Sequence, residues 1–144
     1  MDSDFVLNIN EEKIIRAIEE AELGTSGEIR VHLEPTCQKE VLDRASEVFA
    51  ELHMHKTKLR NGVLFYVAYD AQKFAVIGDS GINAIVPETF WDEEKEILSN
   101  AFSDLKFTEG ICEGIKRVGH VLGKHFPYKD DLSGELPNEI SYGE

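Results

Sequence analysis

The chain has little positive charge. Fifteen Lys and Arg stand against 28 Asp and Glu, a formal net charge of −13 over 144 residues. Neutralising the phosphates of a nucleic acid needs the opposite sign, and so does docking on anionic lipid. Neither is expected as a partner. Long apolar runs are also missing. The longest, Val63 to Tyr69, falls far short of the about 20 residues that span a bilayer. The start, Met1-Asp2-Ser3-Asp4, is acidic and shows no secretory signal. Cysteine is scarce, and Cys37 and Cys112 form no CxxC pair, so no zinc or redox motif is present. Free thiols in a reducing cytoplasm are the simplest account, with a single disulfide as the alternative.

Catalytic signatures are absent too. There is no Walker loop, GxSxG, HExxH or EF-hand loop. The five histidines do not gather at helical or strand spacing. Each reads as surface or as satisfied packing. Cys37 has no local acid–base partner and Ser80 no visible base, so no catalytic residue is nominated.

What is present is ordinary globular material. The length suits one domain, and 42% of the residues are hydrophobic. Asn10 caps an amphipathic stretch whose Ile14, Ile15, Ile18 and Ala21 recur at helical spacing. The spacing predicts a helix over 11–23. Glu28-Ile29-Arg30-Val31-His32-Leu33-Glu34 alternates strictly, which predicts a strand with one polar face or a place near a sheet edge. Val41, Leu42, Ala45, Val48, Phe49 and Leu52 predict a helix over 38–55. Val63 to Tyr69 is apolar at every position and suits a central strand buried on both faces. Phe74 to Ile77 returns antiparallel after a short turn. Two helices follow, from about 88 to 102 and from 108 to 125.

The expected order is α-β-α-β-β-α-α. The strand-helix-strand unit from Glu28 to Tyr69 should be a right-handed parallel crossover, giving a three-layer α/β/α sandwich with a small mixed sheet. Residues 1–126 form this α/β domain. Residues 127–144 read as a polar tail without regular structure. Gly110, Gly114, Gly119 and Gly123 in the last helix predict close packing on a neighbour, because Gly there costs about 0.5–1 kcal/mol against Ala.

One acidic residue asks for an explanation. Asp79 lies between glycines in Gly78-Asp79-Ser80-Gly81, where a strand should stop. The hairpin carries this loop towards Arg60-Asn61-Gly62, and the parallel first strand starts at that same end with Glu28. Asn83, Glu88 and Asp92 follow. Oxygen donors without His or Cys suit Ca²⁺ or Mg²⁺ rather than a transition metal. The candidate metal ligands are therefore Asp79, Glu28, Asn83, Glu88 and Asp92. The plain alternative is that Asp79 bonds backbone amides in a turn and pairs with Arg60, while Glu88 and Asp92 simply suit the first turn of a helix. Asp130-Asp131 is a second acidic group, read as solvated tail.

Three pieces, "TSGEIRVHLE", "RNGVLFYVAYDAQKFAVIGDSGIN" followed by "FWDEE", and "FTEGICEGIKRVGHVL", together resemble the TPM domain. That family is named for thylakoid lumen and photosystem proteins and a levamisole-receptor auxiliary protein. The resemblance covers about 9–126. It implies an α/β sandwich, divalent-cation binding in acidic loops, and acid phosphatase activity as in plant members. Carried onto this chain, it points to the loop at Gly78 to Gly81 and first to Asp79. The chain looks like a stand-alone soluble member of bacterial type, without signal peptide or anchor. A non-catalytic module that recruits a basic protein through its acidic surface or its tail is the alternative function.

Overall fold

A computed structural model describes residues 4–127 and 140–143. Six helices and four strands follow in chain order: α1 (Asp4–Asn8), α2 (Glu11–Glu22), β1 (Glu28–Glu34), α3 (Val41–Glu51), β2 (Gly62–Ala68), β3 (Lys73–Gly78), α4 (Ser80–Asn83), α5 (Glu88–Ser103), α6 (Phe107–His125) and β4 (Ile140–Tyr142).

The long elements obey their periodicity. Asn10 caps α2 by accepting the Lys13 N–H at 3.1 Å. β2 is buried at all seven positions, as its unbroken apolar run requires. α3 is shorter than 38–55. Its start is fixed by the Glu40 carboxylate, which accepts the N–H groups of Leu42 and Asp43. Its end is fixed by His53, whose left-handed backbone (φ 60°) diverts the chain into a short 3₁₀ turn.

The strand order is β3-β2-β1-β4. β1 and β2 pair in parallel, Glu28 opposite Gly62. β2 and β3 form the antiparallel hairpin, Val63 opposite Gly78. The mixed sheet lies between two helical layers. On one face Ile29, Val31 and Leu33 of β1 and Val63, Phe65 and Val67 of β2 pack with α2, α5 and α6. On the other, Leu64, Tyr66 and Ala68 pack with Ala45, Val48 and Phe49 of α3. The glycines of α6 serve close approach. A Cβ at Gly110 would stand 2.5 Å from the Ala101 Cβ, and one at Gly119 would stand 2.6 Å from the Ala21 Cβ.

Two expectations are corrected. The chain's end is not without regular structure throughout: Ile140–Tyr142 pairs in parallel with β1, Val31 opposite Ile140. Asp130 and Asp131 lie outside the described residues. β4 also changes the setting of β1, which becomes an interior strand with every residue buried. Its polar face is therefore packed rather than solvated. Local alternation could not show this, because the covering strand arrives from about a hundred residues away.

Candidate functional site: the rim at Asp79

The register brings Glu28, Gly62 and Asp79 into one row. Glu28 is opposite Gly62, and the Asp79 N–H donates to the Gly62 carbonyl at 3.0 Å. Strand alternation sends Glu28 and Asp79 to the same face, that of α3. Two strand spacings, roughly 10 Å, separate their backbones.

Asp79 is 8% exposed and fully engaged. Arg60 Nε donates to Oδ2 at 2.7 Å and Nη2 to Oδ1 at 2.9 Å. The Ser80 N–H donates to Oδ1 at 2.7 Å, so Asp79 is also the cap of α4. The carboxylate beside it raises the Arg60 guanidinium above its ordinary pKa. Arg60 itself holds a left-handed backbone (φ 53°), and its carbonyl accepts the Gly81 N–H at 2.8 Å. Gly81 is glycine because a Cβ would stand 2.6 Å from that carbonyl oxygen. Gly78 is glycine because a Cβ would stand 2.5 Å from the Trp91 ring.

Asn83 closes the loop. Its Nδ2 donates to the Gly78 carbonyl at 2.8 Å, and its Oδ1 accepts the Trp91 Nε1–H at 2.9 Å. Glu28 is buried at the start of β1, whereas Glu88 and Asp92 sit exposed on α5. The structure thus brings Asp79 and Asn83 together around Gly78 and sets Glu28 in their row. Among the described residues, no three His, Cys, Asp or Glu side chains gather closely enough to hold a metal ion. Asn61, expected at this end of the sheet, lies there as well. It is 1% exposed, its Nδ2 donates to Ser26 Oγ at 3.4 Å, and its Oδ1 is buried without a hydrogen-bond partner among the described residues.

A second polar centre lies on the same face. Glu34 receives Arg44 Nε and Nη2, each at 2.9 Å, the Tyr66 hydroxyl, and His32 Nε2 at 3.1 Å. Burial alone would raise its carboxyl. The bonds from Arg44, Tyr66 and His32 outweigh burial and hold it at about 2. Burial lowers the His32 pKa; its Nε2 meets Glu34 and its Nδ1 the Ser141 hydroxyl, 2.7 Å away. Burial pushes the Tyr66 phenol up, and its bond to Glu34 adds to this. Each member is bonded to another, so the cluster ties β1, β2, α3 and β4 together. The alternation of Glu28, Arg30, His32 and Glu34 marked a polar strand face, but nothing local showed that α3 and β4 would bury it.

Residues 1–121 match the TPM domain. The chain belongs to this family. Among solved structures, this TPM domain is similar to the BA42 protein from the psychrophilic bacterium Bizionia argentinensis, determined by NMR. The two are 46% identical, with a TM-score of 0.85, over 94% of this chain and 96% of that one. No curated protein matches the chain. None of its described helices is long and apolar enough to cross a membrane.

Proposed function

We propose that this TPM domain takes a divalent, oxygen-seeking cation, Ca²⁺ or Mg²⁺, at the rim where β1 begins and β3 ends. The observation that carries the reading is the buried Oδ1 of Asn61, without a hydrogen-bond partner among the described residues, on the residue preceding Gly62 in the row of Glu28, Gly62 and Asp79. A buried carbonyl oxygen left unpaired costs about 1–3 kcal/mol, and a cation would offset that. Asp79 supplies the charge and Glu28 closes the row. Glu88 and Asp92 contribute field from the exposed margin. Asn83, committed to Gly78 and Trp91, supports the loop.

Arg60 is the competitor. Its side chain is 50% exposed, and a cation that binds Asp79 must displace its bidentate pairing. A bound divalent ion would polarise a phosphate ester and lower the pKa of an attacking water, the basis for a weak phosphatase. The chain's own part in that reaction is to hold Asp79 and Glu28 at the rim. Both cysteines are free, which suits a reducing, cytoplasmic setting.

Calorimetric and melting titrations with CaCl₂ and MgCl₂ test the proposal. A hundredfold excess over Kd should add about 2.7 kcal/mol of stability, and EDTA should remove it. Arg60→Ala should tighten binding and Asp79→Asn should abolish it. Equal affinity in both variants, or coincident melts with metal and EDTA, would reject the site.

A second reading, a non-catalytic interaction module for a basic protein, is favoured by the crowding of acids on two helices. α3 carries Asp43, Glu47 and Glu51 against Arg44. α5 presents Glu88, Asp92, Glu93 and Glu96 on its exposed side against Lys95, while Glu94 is buried.

A further inference from the structure

β3 is the outermost strand on its side of the sheet. Exposed sheet edges are usually blunted by proline, by a bulge or by charge, because their free N–H and C=O groups invite another strand. Phe74-Ala75-Val76-Ile77 has none of these. Its register with β2 runs unbroken from Lys73 to Gly78. The only charge on the strand is Lys73 at its start.

The free backbone groups can be assigned. Asp79 N–H bonds to Gly62, and inward-facing residues alternate in an antiparallel pair. Lys73, Ala75 and Ile77 therefore turn their N–H and C=O groups towards β2. Phe74, Val76 and Gly78 turn theirs outwards. The Gly78 carbonyl confirms the assignment, since it accepts Asn83 Nδ2 from outside the ladder at 2.8 Å. Among the described residues, no strand pairs with Phe74 or Val76 on that side.

Two cavities flank this edge. One, of about 450 Å³, opens at the Lys73 end and is lined by Phe74, Tyr69 and Phe102. The other, of about 430 Å³, straddles the Gly78 end between Leu42 and Phe49 of α3 and Trp91 of α5. Leu42 is half exposed. An added strand would send its side chains alternately to the two faces, where these cavities offer apolar seats. The helices that cover the two faces of β3 are α3 and α5, the two acid-rich ones.

We propose that the open edge of β3 binds an extended peptide segment of a partner protein, in which apolar residues are interspersed with Lys or Arg, as a fifth strand. Backbone bonds at Phe74, Val76 and Gly78 would supply affinity, and the cavities and carboxylates would supply selectivity. A second copy of this chain is disfavoured as the occupant, because each carries a net charge of −13. The proposal rests on the interaction-module reading and needs no bound cation, although Asp79 and Asn83 also line the cavity at the Gly78 end.

The probe is a synthetic octapeptide, Lys-Val-Arg-Ile-Lys-Val-Thr-Ile, with a counterpart in which Glu replaces the basic residues. Amide shifts and hydrogen exchange of the ¹⁵N-labelled chain are followed during titration. Exchange at Phe74, Val76 and Gly78 should slow by at least about tenfold, while Ala75 and Ile77, already bonded to β2, change less. The acidic peptide should bind about tenfold more weakly or worse. Val76→Pro removes an outward N–H and should abolish binding. Should that variant fail to fold, Leu42→Lys, on the exposed surface, should still weaken the basic peptide about tenfold. Binding elsewhere on the acidic surface, with the edge amides unmoved, would overturn the edge and leave the module reading standing. Absence of binding would overturn both. A concentration-dependent dimer protecting the same amides would assign the edge to a second copy and overturn the peptide.

Discussion

Glu94 holds a carboxyl group where its neighbours offer it little. The side chain is fully buried, one oxygen meets Arg117 Nη1 only at 3.4 Å, and the other has no hydrogen-bond partner among the described residues. Burial raises its pKa to about 8; Arg117 opposes the shift, and Glu113 and Glu93 add to it. The folded state therefore keeps a proton that the unfolded chain releases near 4.5. Stability should fall as pH rises from about 4.5 to about 8, and the full cost is felt above that. Glu94→Gln should flatten the profile and stabilise the fold by on the order of 2 kcal/mol at pH 8.5. Melting temperature against pH for both proteins checks this, and parallel profiles would refute it. Nothing in the sequence around Asp92-Glu93-Glu94 distinguishes the buried acid from its exposed neighbours except the helical phase with Phe90 and Leu98. Asp79 was more legible. Its glycine neighbours declared a tight turn, and both the pairing with Arg60 and the amide bond were foreseeable, although the spacing also admitted a cation.

At the scale of elements, α6 depends on how closely it approaches α2. Gly119 lies against Ala21, its missing Cβ only 2.6 Å from the Ala21 Cβ. Gly119→Leu should force the helices apart and cost about 1–3 kcal/mol. Gly24→Ala is the control, since nothing lies within 4 Å of its missing Cβ. Urea unfolding of the two variants should show the first destabilised and the second close to wild type; similar midpoints would reject the packing account. The glycine spacing announced this contact but not its partner. Likewise, the alternation of β1 announced a strand but misjudged its outer face. Arg30, His32 and Glu34 are buried because α3 and β4 reach them, and neither contact has a local signature.

The whole molecule carries its acid excess unevenly. Arg44 alone meets Glu34, Glu47 and Glu51, so much of the remaining negative charge stays uncompensated at the surface. Mutual repulsion in a chain of net charge −13 destabilises the compact state, and salt screens it over about 10 Å at 0.1 M. Melting temperature should rise by a few degrees between 10 and 300 mM NaCl. A fall would show that attractive ion pairs such as Arg60–Asp79 and Arg117–Glu93 outweigh the repulsion. At this scale the three-layer architecture was readable, because each layer depends on a periodicity confined to one segment.

The sequence by itself determined the order of the main elements, the parallel crossover, the hairpin and the two-faced burial of β2, since apolar spacing and turn residues act within a few positions. Tertiary structure alone decided that Ile140–Tyr142 would close the sheet beyond β1, that Glu34 would be held among Arg44, Tyr66 and His32, and that Asn61 would bury an oxygen with no hydrogen-bond partner among the described residues. Each of these joins groups brought together only when the chain folds back on itself. The free energy of such a meeting depends on solvent exclusion and mutual geometry, which neighbouring residues along the chain do not encode.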